Sequence, residues 1–243
     1  MAELTSSSAT LPRFAELSAN LHKVRTRIAD AAHAAKRDPR EITLVVVTKR
    51  FPASDVALLA QLGVTDVGEN RLPEAAEKHA AVSADLRWHF IGQVQTNKAK
   101  AVAACVQQVD TVDRLRLVTA LARATPARDT PLDCLVQVNL DGPSTNSSAR
   151  GGAHPDAAQA VAEAIAASPS LRLRGVMGMA PLGGDPVAAF TMLGAVAAKI
   201  RAVEPAATEI SAGMSGDLEA AIAAGATHVR IGTAILGERP DLR

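Results

Sequence analysis

Ile42-Thr43-Leu44-Val45-Val46-Val47-Thr48-Lys49-Arg50 is the stretch that decides the fold. Ile42, Leu44, Val45, Val46 and Val47 make an almost unbroken apolar run, which suits a strand buried on both faces in a parallel sheet wrapped by helices. Lys49 then stands at the C-terminal lip of the strand, where α/β folds keep their chemistry. Beside an apolar wall, desolvation lowers an amine's pKa and frees its nitrogen as a nucleophile. The alternative is a lysine that ends the strand and points into water.

Upstream, Phe14, Leu17, Leu21, Val24, Ile28 and Ala31 recur every three or four positions, the stripe of an amphipathic helix from Arg13 to about Lys36. Residues 1–12 are small, polar and rich in Ser and Thr, and are expected to form a disordered tail. Downstream, helices and strands alternate. Strands are expected at Val64–Gly68, Arg87–Gly92, Val109–Val112, Asp133–Leu140, Leu173–Met179, Thr208–Ala212 and Thr227–Gly232. Between them lie helical segments such as Pro52–Leu62, opened by Pro and closed by Gly63. Strict alternation means parallel strands with right-handed crossovers. Eight such units favour one closed (β/α)8 TIM-type barrel over residues 13–243, with an extra N-terminal helix covering the place of a helix after the last strand. Residues 141–154, rich in Gly, Ser, Asn and Pro, form the one long loop.

The 243-residue chain is 48% hydrophobic and 21% charged, with a net charge of +1, so nothing in its charge balance recruits nucleic acid or an anionic membrane. Only 2% of residues are aromatic and none is tyrosine, leaving alanine and the aliphatics to fill the core. Cys105 and Cys134 have no metal-ligand spacing and read as buried free thiols in a reducing compartment. The N-terminus lacks the basic start and apolar core of a secretory signal, and no apolar run is read as long enough to span a membrane. The expectation is a soluble cytoplasmic protein, with no metal site.

In such a barrel the functional groups collect at strand C-termini: Lys49, Glu69-Asn70, His89 with Gly92, and Asn139. His89 reads either as a hydrogen-bonded structural side chain or as a base, and Asn70 either as a site residue or as a helix cap. Ser211-Ala212-Gly213-Met214-Ser215-Gly216-Asp217 is a small-residue turn running into a helix, a natural place for an anion. Arg230-Ile231-Gly232-Thr233 adds a second such turn after strand eight. Barrels frequently build a phosphate site from these two loops. Opposite a strand-end lysine, the pair points to a phosphorylated aldehyde or ketone. That leaves a sugar-phosphate aldolase with a transient imine, or a pyridoxal 5′-phosphate (PLP) protein with a permanent one.

VVVTKRFP (45–52), DVGEN (66–70), WHFIGQVQTNK (88–98), LRGVMGMAP (173–181) and ISAGMSGDLEAAIAAGATHVRIGTAILG (210–237) resemble, in content and order, the PLP homeostasis protein family of the YggS/PROSC type. The resemblance covers roughly residues 13–238. It implies a fold type III PLP barrel like the N-terminal domain of alanine racemase, without the racemases' second domain. Lys49 matches the family's PLP-binding lysine, and Ser211, Ser215, Gly232 and Thr233 match its phosphate-binding turns. Arg230 matches the arginine facing the pyridine nitrogen, where a cation disfavours ring protonation and weakens the cofactor as an electron sink. Asn70, His89 and Met214 fall in family motifs near the cofactor.

The chain departs from the family at Arg71, where an aromatic is usual, at Ala212, which replaces a methionine, and at Arg150, where a lysine is common. The 141–154 loop also lacks the usual glutamate. The resemblance implies a monomeric carrier that holds PLP as a Schiff base on Lys49, buffers or supplies it to apo forms of PLP-dependent enzymes in vitamin B6 balance, and has no robust catalysis. The alternative is a PLP-dependent racemase or related enzyme using Lys49 as base. Racemases of this fold need a second base, a tyrosine, and the chain has none.

Overall fold

Eight short parallel strands pair in sequence order, and the first closes on the last, making a sealed barrel. They are β1 (Thr43–Val47), β2 (Asp66–Glu69), β3 (Arg87–Phe90), β4 (Gln108–Val112), β5 (Leu132–Val138), β6 (Leu171–Gly178), β7 (Glu209–Ser211) and β8 (His228–Ile231). The computed structural model describes residues 3–125, 130–141 and 151–238, so Arg150 and most of the 141–154 loop lie outside the described residues. Helices α2 (Ala53–Gln61), α3 (Leu72–Ala81), α4 (Ala99–Cys105), α5 (Leu115–Ala124), α6 (Ala158–Ala166), α7 (Pro186–Val203) and α8 (Leu218–Ala223) form the outer ring.

The N-terminal helix α1 runs Glu3–Ala34 and so begins inside the segment read as a disordered tail. Extending a helix already nucleated downstream fixes one residue per added turn position, which is far easier than starting one anew. Pro12 lies within it and supplies no backbone donor. Leu17, Leu21, Val24, Ile28 and Ala32 bury one stripe of α1 against α8 and a short helix, α9 (Thr233–Leu236). The sequence reading leaves only a tail after strand eight, whereas a single helical turn begins there. α7 is a second difference: its 18 residues are long and apolar enough for a membrane segment. Phe190, Leu193, Val196 and Ile200 are nevertheless buried, and the helix packs on β6 and its neighbours in the ring.

The apolar core lies between sheet and helices, where the outward residues of each strand meet the helix stripes. Trp88 of β3 is buried there, with the His79 ring of α3 at 5.7 Å and 68°. Cys105 and Cys134 are buried free thiols. The lumen is different. Among the described residues, Val45, Val47, Leu135 and Met177 are buried apart from that core, beside the buried polar side chains of Asp66, His89, Gln108, Asp110, Gln137, Glu209, Ser211 and Arg230. These polar residues occupy alternate strand positions and so share the inward face. Barrels are more often filled by layers of branched aliphatics. Here hydrogen-bonded charge does the filling, and it determines what sits beneath the site.

Candidate functional site

A cavity of about 460 Å³ opens at the C-terminal ends of the strands. Lys49, Asn70, Met214, Ser215, Arg230, Gly232 and Thr233 line it, all of them expected there from the sequence. Val47, Phe51, Ile91, Met177 and Met179 supply the apolar wall. Two glycines let the strand ends close up around it. A Cβ on Gly232 would lie 3.0 Å from the Val47 carbonyl oxygen, across the β8–β1 seam, and one on Gly92 would lie 2.2 Å from the Asn70 carbonyl oxygen.

Lys49 sits in a tight turn directly after β1. The Phe51 amide donates to the Thr48 carbonyl at 3.1 Å, and Arg50 takes a left-handed φ of 67°. A non-glycine residue there is disfavoured unless its surroundings hold it. The Arg50 amide donates to Glu74 Oε2 at 2.7 Å. From below, buried Lys78 donates to the Thr48 carbonyl at 2.8 Å and to Glu69 Oε1 at 2.6 Å, with Glu74 Oε2 at 3.6 Å. Thr48 Oγ1 also donates to Glu69 Oε1, at 2.5 Å. Burial pushes the Glu69 carboxyl up, against the hydrogen bonds from Lys78 and Thr48.

Arg230 forms part of the cavity floor. Its Nη1 donates to Ser211 Oγ at 2.8 Å and its Nη2 to the Gly178 carbonyl at 3.0 Å. Burial pushes this guanidinium down, while the charges of Asp110 and Asp217 act the other way. Ser211 Oγ donates onward to Asp110 Oδ2 at 3.3 Å. The His89 ring lies between Asp110, 3.4 Å from Nδ1, and Asp66, 3.0 Å from Nε2. Burial opposes its charge, but the Asp110 charge and the hydrogen bonds of both carboxylates outweigh this, and its pKa is pushed up to about 9. Desolvation likewise works against ionised Asp110 and Asp66, yet His89 leaves both below the ordinary carboxylate value. His89 and Ser211 lie deeper than the other expected site residues. Both are fully buried in the lumen, one layer beneath the cavity, and neither lines it.

The two small-residue turns after β7 and β8 both reach the cavity. Met214 N–H donates to Asp217 Oδ1 at 2.6 Å, which fixes the β7–α8 turn and presents Ser215 and Gly216 at the cavity. From α1, Arg27 Nη1 and Nη2 each donate to the Ser215 carbonyl at 3.2 Å, and Nη2 pairs with Glu219 at 2.7 Å. Thr233 opens α9, and the first N–H groups of a helix have no intrahelical acceptor. Phe51 falls within VVVTKRFP without a role assigned to it, and Arg27 lies outside every quoted motif. Arg27 lies on the outer helix, and its only sequence signal is a charge within the amphipathic stripe.

The residues present fit pyridoxal 5′-phosphate. The cavity is of the size that takes such ligands. It combines an amine, a fixed guanidinium, a hydroxyl-rich turn pair and an apolar wall. Asn70 Oδ1 is buried with no hydrogen-bond partner, an acceptor that a hydroxyl on the ligand would satisfy. Lys49 and Arg230 are the only ionisable side chains among the described residues lining the cavity.

Residues 15–240 match the family model described as "Alanine racemase, N-terminal domain". The chain is 42% identical over 252 residues to a Mycobacterium bovis protein named "Pyridoxal phosphate homeostasis protein", covering 96% of each chain. The solved structure of PipY from Synechococcus elongatus with PLP bound superposes with a TM-score of 0.74 at 30% identity, covering 86% of this chain and all (100%) of PipY. Alanine racemase from Corynebacterium glutamicum shares the fold at a TM-score of 0.65 and 15% identity, with 91% of this chain matching 60% of the racemase.

Proposed function

The chain belongs to the family of pyridoxal phosphate homeostasis proteins, built on the alanine racemase N-terminal domain, and from that premise we propose that it binds PLP in the strand-end cavity and serves intracellular PLP homeostasis. The observation that carries this reading is the convergence of Lys49, Arg230 and the Ser215–Thr233 turn pair on one cavity. Lys49 is the covalent tether: its amine condenses with the cofactor's aldehyde and releases water. Ser215, Gly232 and Thr233 bind the phosphate, and Asn70 takes a hydroxyl. Bound there, PLP supplies electron-sink chemistry in principle. Arg230, pinned by Ser211 and Gly178, is the residue we assign to the ring nitrogen, where a fixed cation withholds a proton and blunts that chemistry. The lumen residues His89, Asp110 and Ser211 position Arg230 rather than touch the ligand.

The role is that of a carrier without robust turnover, buffering PLP or handing it to apo-enzymes. A racemase-like reaction needs a second proton donor across the ligand from Lys49, and the described lining offers only Arg230 as a further ionisable group. The buried free thiols suit the reducing cytoplasm.

The test is the visible spectrum of wild type and Lys49→Ala with added PLP, before and after borohydride. The expected result is a yellow wild-type protein whose band is reduced onto Lys49, and a variant without that band. A wild type that stays colourless with PLP overturns the proposal.

A further inference from the structure

We propose that Glu69, Lys78 and Glu74 form a positioning device for Lys49, clamping the turn on both sides of it so that the amine is held ready for a carbonyl ligand. This rests on the reading of the cavity as a PLP site.

A lysine and a glutamate buried together under a strand end need an explanation. Their side chains are 7% and 0% exposed, and such a pair contributes little net stability over apolar residues of the same size. What the pair does accomplish is directional. The Lys78 ammonium grips the carbonyl of Thr48, the residue before Lys49, while Glu69 and Glu74 compensate its charge. Glu74 simultaneously accepts from the amide of Arg50, the residue after Lys49, which is held at a φ of 67°. Thr48 is also fixed through its hydroxyl, which donates to Glu69. The peptide units flanking Lys49 are thus anchored to the end of β2 and the first two turns of α3. None of Glu69, Lys78 and Glu74 lines the cavity, so the device acts through the backbone of the turn.

Holding a reacting group in a near-attack geometry raises its effective concentration, and losing the hold shows as faster loss of ligand. Glu74→Ala removes the acceptor from the strained Arg50 amide at a partly exposed site. It is expected to release PLP about tenfold faster than wild type, equivalent to ~1.4 kcal/mol. Release is read as decay of the visible band on dilution into excess hydroxylamine. Glu74→Gln keeps a carbonyl for the Arg50 amide and should restore the wild-type rate. A second route is the paired variant Glu69→Gln with Lys78→Met, which removes both charges and strands neither. It is also expected to speed release, and to shift the pH at which the band is half-formed.

Wild type without a band overturns the reading of the cavity. A banded wild type whose Glu74→Ala and paired variants release PLP at the wild-type rate overturns only the positioning role. Faster release without rescue by Glu74→Gln also overturns it, since general loosening would then be the cause.

Discussion

His89 shows how one residue ties the site to the stability of the whole barrel. Its folded pKa of about 9 lies above the ordinary 6.5, so its contribution is fully present below pH ~6.5 and is lost as pH rises through about 9. Asp66 and Asp110 are shifted the other way, and their contribution is present above the ordinary carboxylate value of 3.8 and lost as pH falls below it. Chemical unfolding followed across pH should therefore show this cluster at full strength between roughly pH 4 and 6.5, with a decline toward pH 9. His89→Asn should be less stable near pH 6 by on the order of 3 kcal/mol and should lose the alkaline decline. An unchanged decline in the variant would assign it to other groups. From the sequence, His89 has two readings, and the structure selects the hydrogen-bonded one. The carboxylates that decide it lie 23 and 21 positions away, and only the β2–β3–β4 pairing brings them together.

At the scale of the element, much of the chain is legible because strand and helix each bury a periodic face. The β1 run, the caps at Pro52 and Gly63, and the α1 stripe all form where their patterns place them. What the sequence reading misses has physical causes. The helix α9 is a single turn, too short for any periodicity, and the head of α1 is polar and gains its helix only by propagation. The polar lumen left a signal that was open to reading: Asp66, Arg87 with His89, Gln108 with Asp110, Asp133 with Gln137, Glu209 with Ser211, and His228 with Arg230 recur at alternate strand positions. Strand ends are more exacting still. Gly92→Ala would set a Cβ 2.2 Å from the Asn70 carbonyl oxygen, with backbone atoms on the other side of the contact. Denaturant melts should show a loss of about 1–3 kcal/mol, and PLP affinity should fall as Asn70 is displaced. Wild-type affinity with lowered stability would show that the β2 and β3 ends shift as one.

The whole molecule is closed by α1, which occupies the sector that a full helix after β8 would take. Leu21→Ala in its buried stripe should lower stability by ~2–5 kcal/mol, measured by thermal or chemical unfolding. Because α1 also reaches the Ser215 carbonyl through Arg27, Arg27→Ala should weaken binding of inorganic phosphate while leaving the Lys49 turn intact. The helix that seals the barrel thus also holds the turn to which we assign the phosphate. One further consequence concerns Trp88, the only tryptophan in a chain with no tyrosine. Its indole is enclosed between β3 and α3, the helix that carries Glu74 and Lys78. The intrinsic fluorescence of this protein is therefore the emission of a single indole at the foot of the Lys49 clamp: blue-shifted while α3 is seated, red-shifted when it lifts, and dimmed by resonance transfer when a yellow chromophore fills the cavity above.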